Sequence, residues 1–150
     1  MDRRELHFET YDDIRHEIER LEAGGCEPLG RWNLGQTCWH LNYYLRGSLE
    51  GYPKMFPWLL RATLGRYLLK KVLSGKPWRT GGQTIPGSVP PAAVDEAEAI
   101  GESKQLLTRL KAPVGGLHPS PLFGQLTEDQ CRMLHCRHAA HHLGFLVPKP

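Results

Sequence analysis

The sequence predicts an all-α chain folded as an antiparallel helical bundle. Three observations predict it. Apolar residues recur at three- and four-residue spacing in separate segments of the chain. Clusters of glycine and proline punctuate the chain between those segments. No set of segments alternates apolar and polar residues as half-buried strands do.

The first helix is expected from about Tyr11 to Ala23, where Ile14, Ile18 and Leu21 share one face and Gly24-Gly25 stops the pattern. The second should start at Asn33, a favourable N-cap, and run toward Glu50, ending at Gly51-Tyr52-Pro53. The third is expected from about Pro57 to Leu73, with Leu60, Leu64, Tyr67, Leu68 and Leu73 as its buried stripe. Residues 78–91 are too rich in Gly and Pro for regular structure, and a connection of that length often serves as a lid or mouth. A fourth helix is expected from about Ala92 to Leu110. The last begins most clearly: Thr127-Glu128-Asp129-Gln130 reads as a capping box, with acidic residues in the first turn to suit the helix dipole. It should continue to about Gly144 or Leu146, before Pro148.

The 150 residues suit one domain spanning 1–150, and 40% hydrophobic against 23% charged residues supplies one packed core and excludes a disordered chain. A net charge of +3 without a dense basic stripe or a recognisable module argues against a nucleic-acid partner. No stretch reaches the roughly 18 apolar residues of a membrane span. The best candidate, from Met55 to Leu73, is interrupted by Arg61, Arg66, Lys70 and Lys71, which read as one solvated face of the third helix in preference to a contact with anionic lipid. No membrane partner is therefore expected. Cys26, Cys38, Cys131 and Cys136 form no C-x-x-C pair, and residues Met1 to His7 contain no apolar leader core. They are expected to be reduced thiols packed in the core of a cytoplasmic protein.

Histidine is the compositional oddity. Four of the eight, His135, His138, His141 and His142, fall within eight residues. On a helix His138 and His142 lie one turn apart on one face, which they share with Cys131, Leu134 and Phe145. His135 stands about 60° from His138 and His141 about 100° from His142, so His141 is badly placed to join both. Two histidines rarely complete a metal site, and bundles supply further ligands from facing helices. His40, mid-way along the second helix, is the best third ligand. Ala139 stands where a zincin glutamate would be, so this is not a metalloprotease helix.

The segment Arg137-His138-Ala139-Ala140-His141-His142-Leu143 resembles the last-helix motif of the DinB-like (damage-inducible B) metal-binding superfamily. Trp32-Asn33-Leu34-Gly35-Gln36-Thr37-Cys38-Trp39-His40-Leu41 resembles its other motif, a Trp and a helix start followed by Gln and a His-Leu pair. Ser74-Gly75-Lys76-Pro77 and the run from His118 to Thr127 resemble a branch of that superfamily of unknown function. The resemblance spans about Tyr11 to Leu146. It implies an up-and-down four-helix bundle with long irregular connections, in which His40, His138 and His142 bind a divalent metal. These are the same three histidines that helix geometry selects. Many relatives follow the histidine pair with Arg-Gly-Gln. Here Leu143-Gly144-Phe145 takes that place, so substrate contacts made there by relatives do not carry over.

Three neutral imidazoles leave a divalent cation its full charge and at least one open position, as in catalytic rather than structural sites. Zinc and nickel are the expected metals. Gln36, Tyr44 and His135 are candidates to support the ligands from behind. The resemblance implies a metal-dependent thiol S-transferase or a hydrolase acting on a small molecule or a low-molecular-weight thiol. A non-catalytic metal- or small-molecule-binding bundle uses the same ligands equally well. Relatives often pair, so a homodimer is an expected assembly. Trp78 and Arg79, in residues 76–83, either frame a pocket mouth or lie in a solvated loop.

Overall fold

The structure, a computed structural model, describes residues 3–76, 78 and 84–150. Among these the chain is mostly helical. Helix α1 (Tyr11–Gly24) is opened by Thr10, whose side chain accepts from the Asp13 N–H while Asp13 returns the bond, and it ends at Gly25 with φ 73°. Helix α2 (Leu34–Glu50) has the same reciprocal cap made by Asn33 and Gln36, and ends at Gly51 with φ 95°. Left-handed backbone of this kind costs glycine nothing and any other residue something. Helix α5 (Glu96–Leu110) starts at Asp95, later than the expected Ala92, because the Asp95 side chain caps the Glu98 N–H. Helix α6 (Glu128–Leu143) carries the Thr127–Gln130 capping box.

The third expected helix is regular only in part. A short α3 (Trp58–Leu60) runs into a π-helical stretch, Arg61–Gly65, and then α4 (Arg66–Leu73). The wider π turn takes in an extra residue, so an unbroken 3.6-residue period misplaces the residues beyond it. Gly65 and Leu69 face inward, whereas Leu64 and Tyr67, expected in the buried stripe, face solvent. Gly65 sits against the Leu122 carbonyl, where a Cβ would overlap it.

Helices α1, α2, α5 and α6 share one core, built from Ile14, Ile18 and Leu21, then Leu34, Cys38, Leu41 and Leu45, then Ile100, Leu106 and Leu107, then Cys136, Ala139 and Leu143. The closest pairing is α2 with α5. Gly35 permits it, because a Cβ there would stand 2.9 Å from the Glu96 Cα. A buried polar bridge fixes the register of this pair: Asn42 Nδ2 donates to the Ala99 carbonyl at 2.9 Å, and Ser103 Oγ donates to Asn42 Oδ1 at 2.6 Å. A smaller cluster of Leu69, Leu126 and Cys131 seats α4 against α6.

Two features escape the all-helical expectation. Strands β1 (Cys26–Pro28) and β2 (Leu146–Pro148) pair antiparallel, with Glu27 opposite Val147. Three-residue strands that each end in proline are too short to show alternation. The N-terminal segment is also ordered against α6. The Arg4 N–H donates to the Gly144 carbonyl at 2.8 Å, and its guanidinium reaches the Leu143 and Leu146 carbonyls and Glu17. A cation there satisfies carbonyls that a helix end leaves without partners.

All four cysteines are free thiols; Cys38, Cys131 and Cys136 are buried and Cys26 is half-buried. Burial pushes the Cys38 and Cys136 thiols up to about 12, which suits inert core packing and not nucleophilic use. Among the described residues no helix is long and apolar enough to cross a membrane.

Candidate metal centre

His40 projects from the middle of α2, and His138 and His142 from successive turns of α6, the helix facing it. Each offers a ring nitrogen, and the three atoms lie within 4.8 Å of one another. The structure thus brings together the three histidines expected as ligands, and the group they form is one that could hold a metal ion.

His40 is the most strongly positioned. It is buried, and its Nδ1–H donates to the Ser88 carbonyl at 2.7 Å. That bond fixes the tautomer, so Nε2 carries a free lone pair directed at the other two rings. An imidazole held through its other nitrogen by a carbonyl is the usual arrangement behind a metal ligand. His40 Nε2 and His138 Nε2 are 3.1 Å apart. Nitrogens bound tetrahedrally at about 2.0–2.1 Å lie about 3.3–3.4 Å apart, so this spacing suits two lone pairs converging on one ion.

Electrostatics favour neutral rings. Burial lowers the pKa of His40, and the Ser88 bond offsets this only in part. His138 is held well below its ordinary value, first by burial and then by the neighbouring His142 and His40. His142 is pushed down to about 2 by burial, with His40 and His141 adding to the effect. Neutral imidazoles are what a metal requires. Without a cation, three desolvated rings crowd at one point with little to bind but each other.

Aromatic side chains wall the group. Trp32 stacks on His142 with centroids 5.6 Å apart, and Trp78 stacks on His138 at 5.7 Å. Tyr44 meets His138 edge-on at 4.7 Å. The histidines open onto a cavity of about 840 Å³ whose other walls include Arg31, Val72, Ile85, Phe123 and Phe145. No Asp or Glu lines it among the described residues.

The remaining expected site residues fall in different places. Tyr44 sits one bond behind His40. Ser88 Oγ donates to the Ile85 carbonyl at 2.8 Å, so the Tyr44 hydroxyl, 3.1 Å from Ser88 Oγ, donates to it and braces the segment that orients His40. Gln36 is committed to the α2 cap: its Oε1 accepts from the Asn33 N–H, its Nε2 donates to the Pro91 carbonyl, and it makes no bond to the three histidines. His135 lies one turn below, where its Nε2 is hydrogen-bonded to Ser48 Oγ at 2.9 Å. His141 is not one of the three converging rings: it meets His142 edge-on at 4.8 Å, and its Nδ1 is bonded to the Arg3 guanidinium. Trp78 lines the cavity, while Arg79 lies outside the described residues.

Ser88 and Trp32 were not singled out from sequence as site residues. Ser88 acts through its main chain, which leaves no side-chain signal. Trp32, just before the Asn33 cap, could have been found from its place beside a helix that carries a ligand.

The family described as protein of unknown function (DUF1569) matches residues 1–149 of this chain. No curated protein and no solved structure matches it.

Proposed function

The chain belongs to the family described as protein of unknown function (DUF1569), and on that premise we propose that it is a divalent-metal-binding protein of the DinB-like superfamily, an up-and-down four-helix bundle whose centre is His40, His138 and His142. One observation carries the reading: three neutral imidazoles from two facing helices converge on one point, with the tautomer of His40 set by the Ser88 carbonyl. Histidine-only ligation suits zinc and nickel.

The centre serves a metal-dependent thiol S-transferase or a hydrolase. Three ligands leave a coordination position open, and the cavity gives a small molecule access to it. When bound, the metal supplies a Lewis acid that acidifies a thiol or water reaching that position. The protein's own contribution is orientation and exclusion of bulk water. Trp32 and Trp78 clamp the histidine rings by stacking, and the aromatic walls favour an apolar substrate body. With no carboxylate in the lining among the described residues, the centre keeps its positive charge and selects a ligand that brings the negative one, as a low-molecular-weight thiolate does. The same geometry supports a non-catalytic metal- or ligand-binding protein, separated from the enzyme by turnover alone.

Elemental analysis of the purified protein, repeated on His40→Ala, tests the metal. One equivalent of zinc or nickel in the parent and none in the variant is the expected result. A metal-free parent that does not take up added Zn²⁺ or Ni²⁺ overturns the proposal. Turnover on thiol and ester panels by loaded protein, lost in His138→Ala, identifies the enzyme. Binding without turnover identifies the alternative.

A further inference from the structure

The π turn in the third helical stretch leaves a surface that the metal centre does not use. Trp58 is 71% exposed, Tyr67 67%, Leu59 64% and Leu64 47%, and Met55 and Phe56 are exposed beside them. Single exposed apolar residues are ordinary, but a cluster of large ones on one short segment marks an interaction surface.

The charge of this region is one-sided. Between Gly51 and Val94 the chain has seven Lys and Arg and no Asp or Glu, leaving 12 basic against 16 acidic residues for the rest. Lys54, Arg66, Lys70 and Lys71 are exposed on the same segment as the apolar cluster. Arg66 donates to the Phe123 and Gln125 carbonyls, but none of these basic residues forms an ion pair among the described residues, whereas ion pairs occur on α1, α2, α5 and α6.

We propose that the face from Lys54 to Lys71 docks this protein on an anionic lipid bilayer surface, with Trp58, Leu59, Leu64 and Tyr67 entering the interface and Lys54, Lys70 and Lys71 meeting the headgroups. Large apolar and aromatic side chains beside exposed lysine and arginine suit a surface that offers both an apolar interior and anionic headgroups. Tryptophan and tyrosine suit the depth at which headgroups begin. Charge complementarity decides between occupants. A symmetric contact with a second copy would set this unbalanced basic segment against itself, which opposes pairing. A nucleic acid would match the charge but would leave Leu59, Leu64 and Met55 without an apolar partner. The docking face does not depend on the metal reading. It does place a bilayer beside the cavity, since Val72 at the end of α4 lines that cavity.

Co-sedimentation of the full chain with vesicles tests the proposal. Binding is expected to phosphatidylcholine vesicles that contain phosphatidylglycerol, weakly or not at all to phosphatidylcholine alone, and to weaken as salt is raised. Lys70→Gln with Lys71→Gln should lower partitioning about 30-fold, at about fivefold per lost charge. Trp58→Ala with Leu59→Ser should lower it at least as far, and both pairs are exposed, so circular dichroism should show an unchanged fold. Three results overturn the proposal: no sedimentation with anionic vesicles, equal binding by both double variants and the parent, or tighter binding to duplex DNA than to those vesicles. So does a stable dimer in solution that Trp58→Ala with Leu59→Ser converts to monomer.

Discussion

Two layers of histidine, one of them buried and the other buried only at His40, lie one helical turn apart between α2 and α6, and they solve the same problem in opposite ways. In the lower layer His135 is buried, with its Nε2 bonded to Ser48 Oγ, and the Cys131 thiol donates to the same oxygen at 3.7 Å. In the upper layer His138 faces His40 and His142, so ring nitrogens face ring nitrogens. The lower histidine has a protein partner at Nε2. The upper three satisfy one another poorly, and a cation satisfies all of them together. Burial alone therefore does not mark a ligand. What marks it is a desolvated ring with a nitrogen that meets only the nitrogens of other such rings.

Removing one ring from each layer should break the comparison most sharply. His138→Ala should weaken metal binding by more than about 100-fold, beyond the loss usual for a group supporting a ligand from behind. The parent should gain about 2.7 kcal/mol from metal at a hundred times its dissociation constant, and the variant less than about 0.4 kcal/mol. Denaturant melts with and without Zn²⁺ check both values. His135→Ala should do the reverse. Loss of a buried ring and of Ser48's partner should cost about 3–4 kcal/mol, while metal still protects the folded fraction. If the two variants lose metal equally, the layers are one site.

Acid should separate the layers without mutation. Burial pushes His135 down to about 4 from an ordinary value near 6.5. Between those pH values the unfolded chain binds the proton and the folded one does not, so stability is complete above about 6.5 and is lost as pH falls toward 4. The His135 share is about 3 kcal/mol. The metal-free protein should show this slope in urea melts at stepped pH, and His135→Gln should remove the His135 share of it while leaving the share of the upper-layer rings. The upper-layer rings shift in the same direction, so metal-loaded protein should lose metal as pH falls.

How far this arrangement was legible in the sequence depends on what each residue does. Thr127 with Gln130 and Asn33 with its turn fixed the starts of α6 and α2, because a cap is a local event with a local spacing. Once those starts are known, four-residue spacing puts His138 and His142 on one face, and a lone mid-helix histidine on α2 completes the group. The supports behind the ligands were harder to read. Gln36, expected near the metal, has the position three residues after an Asn cap that closes the box, a second meaning of the same spacing. Ser88 orients His40 through a carbonyl that any residue would supply. The π turn at Arg61–Gly65 packs its Gly65 against the Leu122 carbonyl, some sixty residues away in the chain, a contact that no local period could announce. Once it is present, Leu64 and Tyr67 leave the core and the helix acquires an exposed apolar face.

Ser48→Ala should show a smaller effect confined to the lower layer. Its hydroxyl serves both His135 Nε2 and the Cys131 thiol, so its loss should cost about 1–2 kcal/mol. Metal affinity should stay within about twofold of the parent, since Ser48 touches none of the three upper rings and the energies of separate groups add.

Thr127→Ala should have the smallest effect of all, because it touches neither layer and yet sits at the head of the helix that carries both. Thr127 accepts from the Gln130 N–H at 3.1 Å and Gln130 returns the bond, so the variant loses one cap and about 1 kcal/mol. The first turn of α6 then frays, but His135, His138 and His142 lie two to four turns further on, beyond a seat made by Cys131 and Leu126. If α6 holds its histidines as a rigid rail, metal affinity should not change while the urea midpoint falls. A metal affinity that fell more than the stability would show that the upper layer is assembled by binding, with the turn between the two layers as its hinge. Isothermal titration of Zn²⁺ into parent and variant, beside their melts, distinguishes a preformed centre from one completed by its metal.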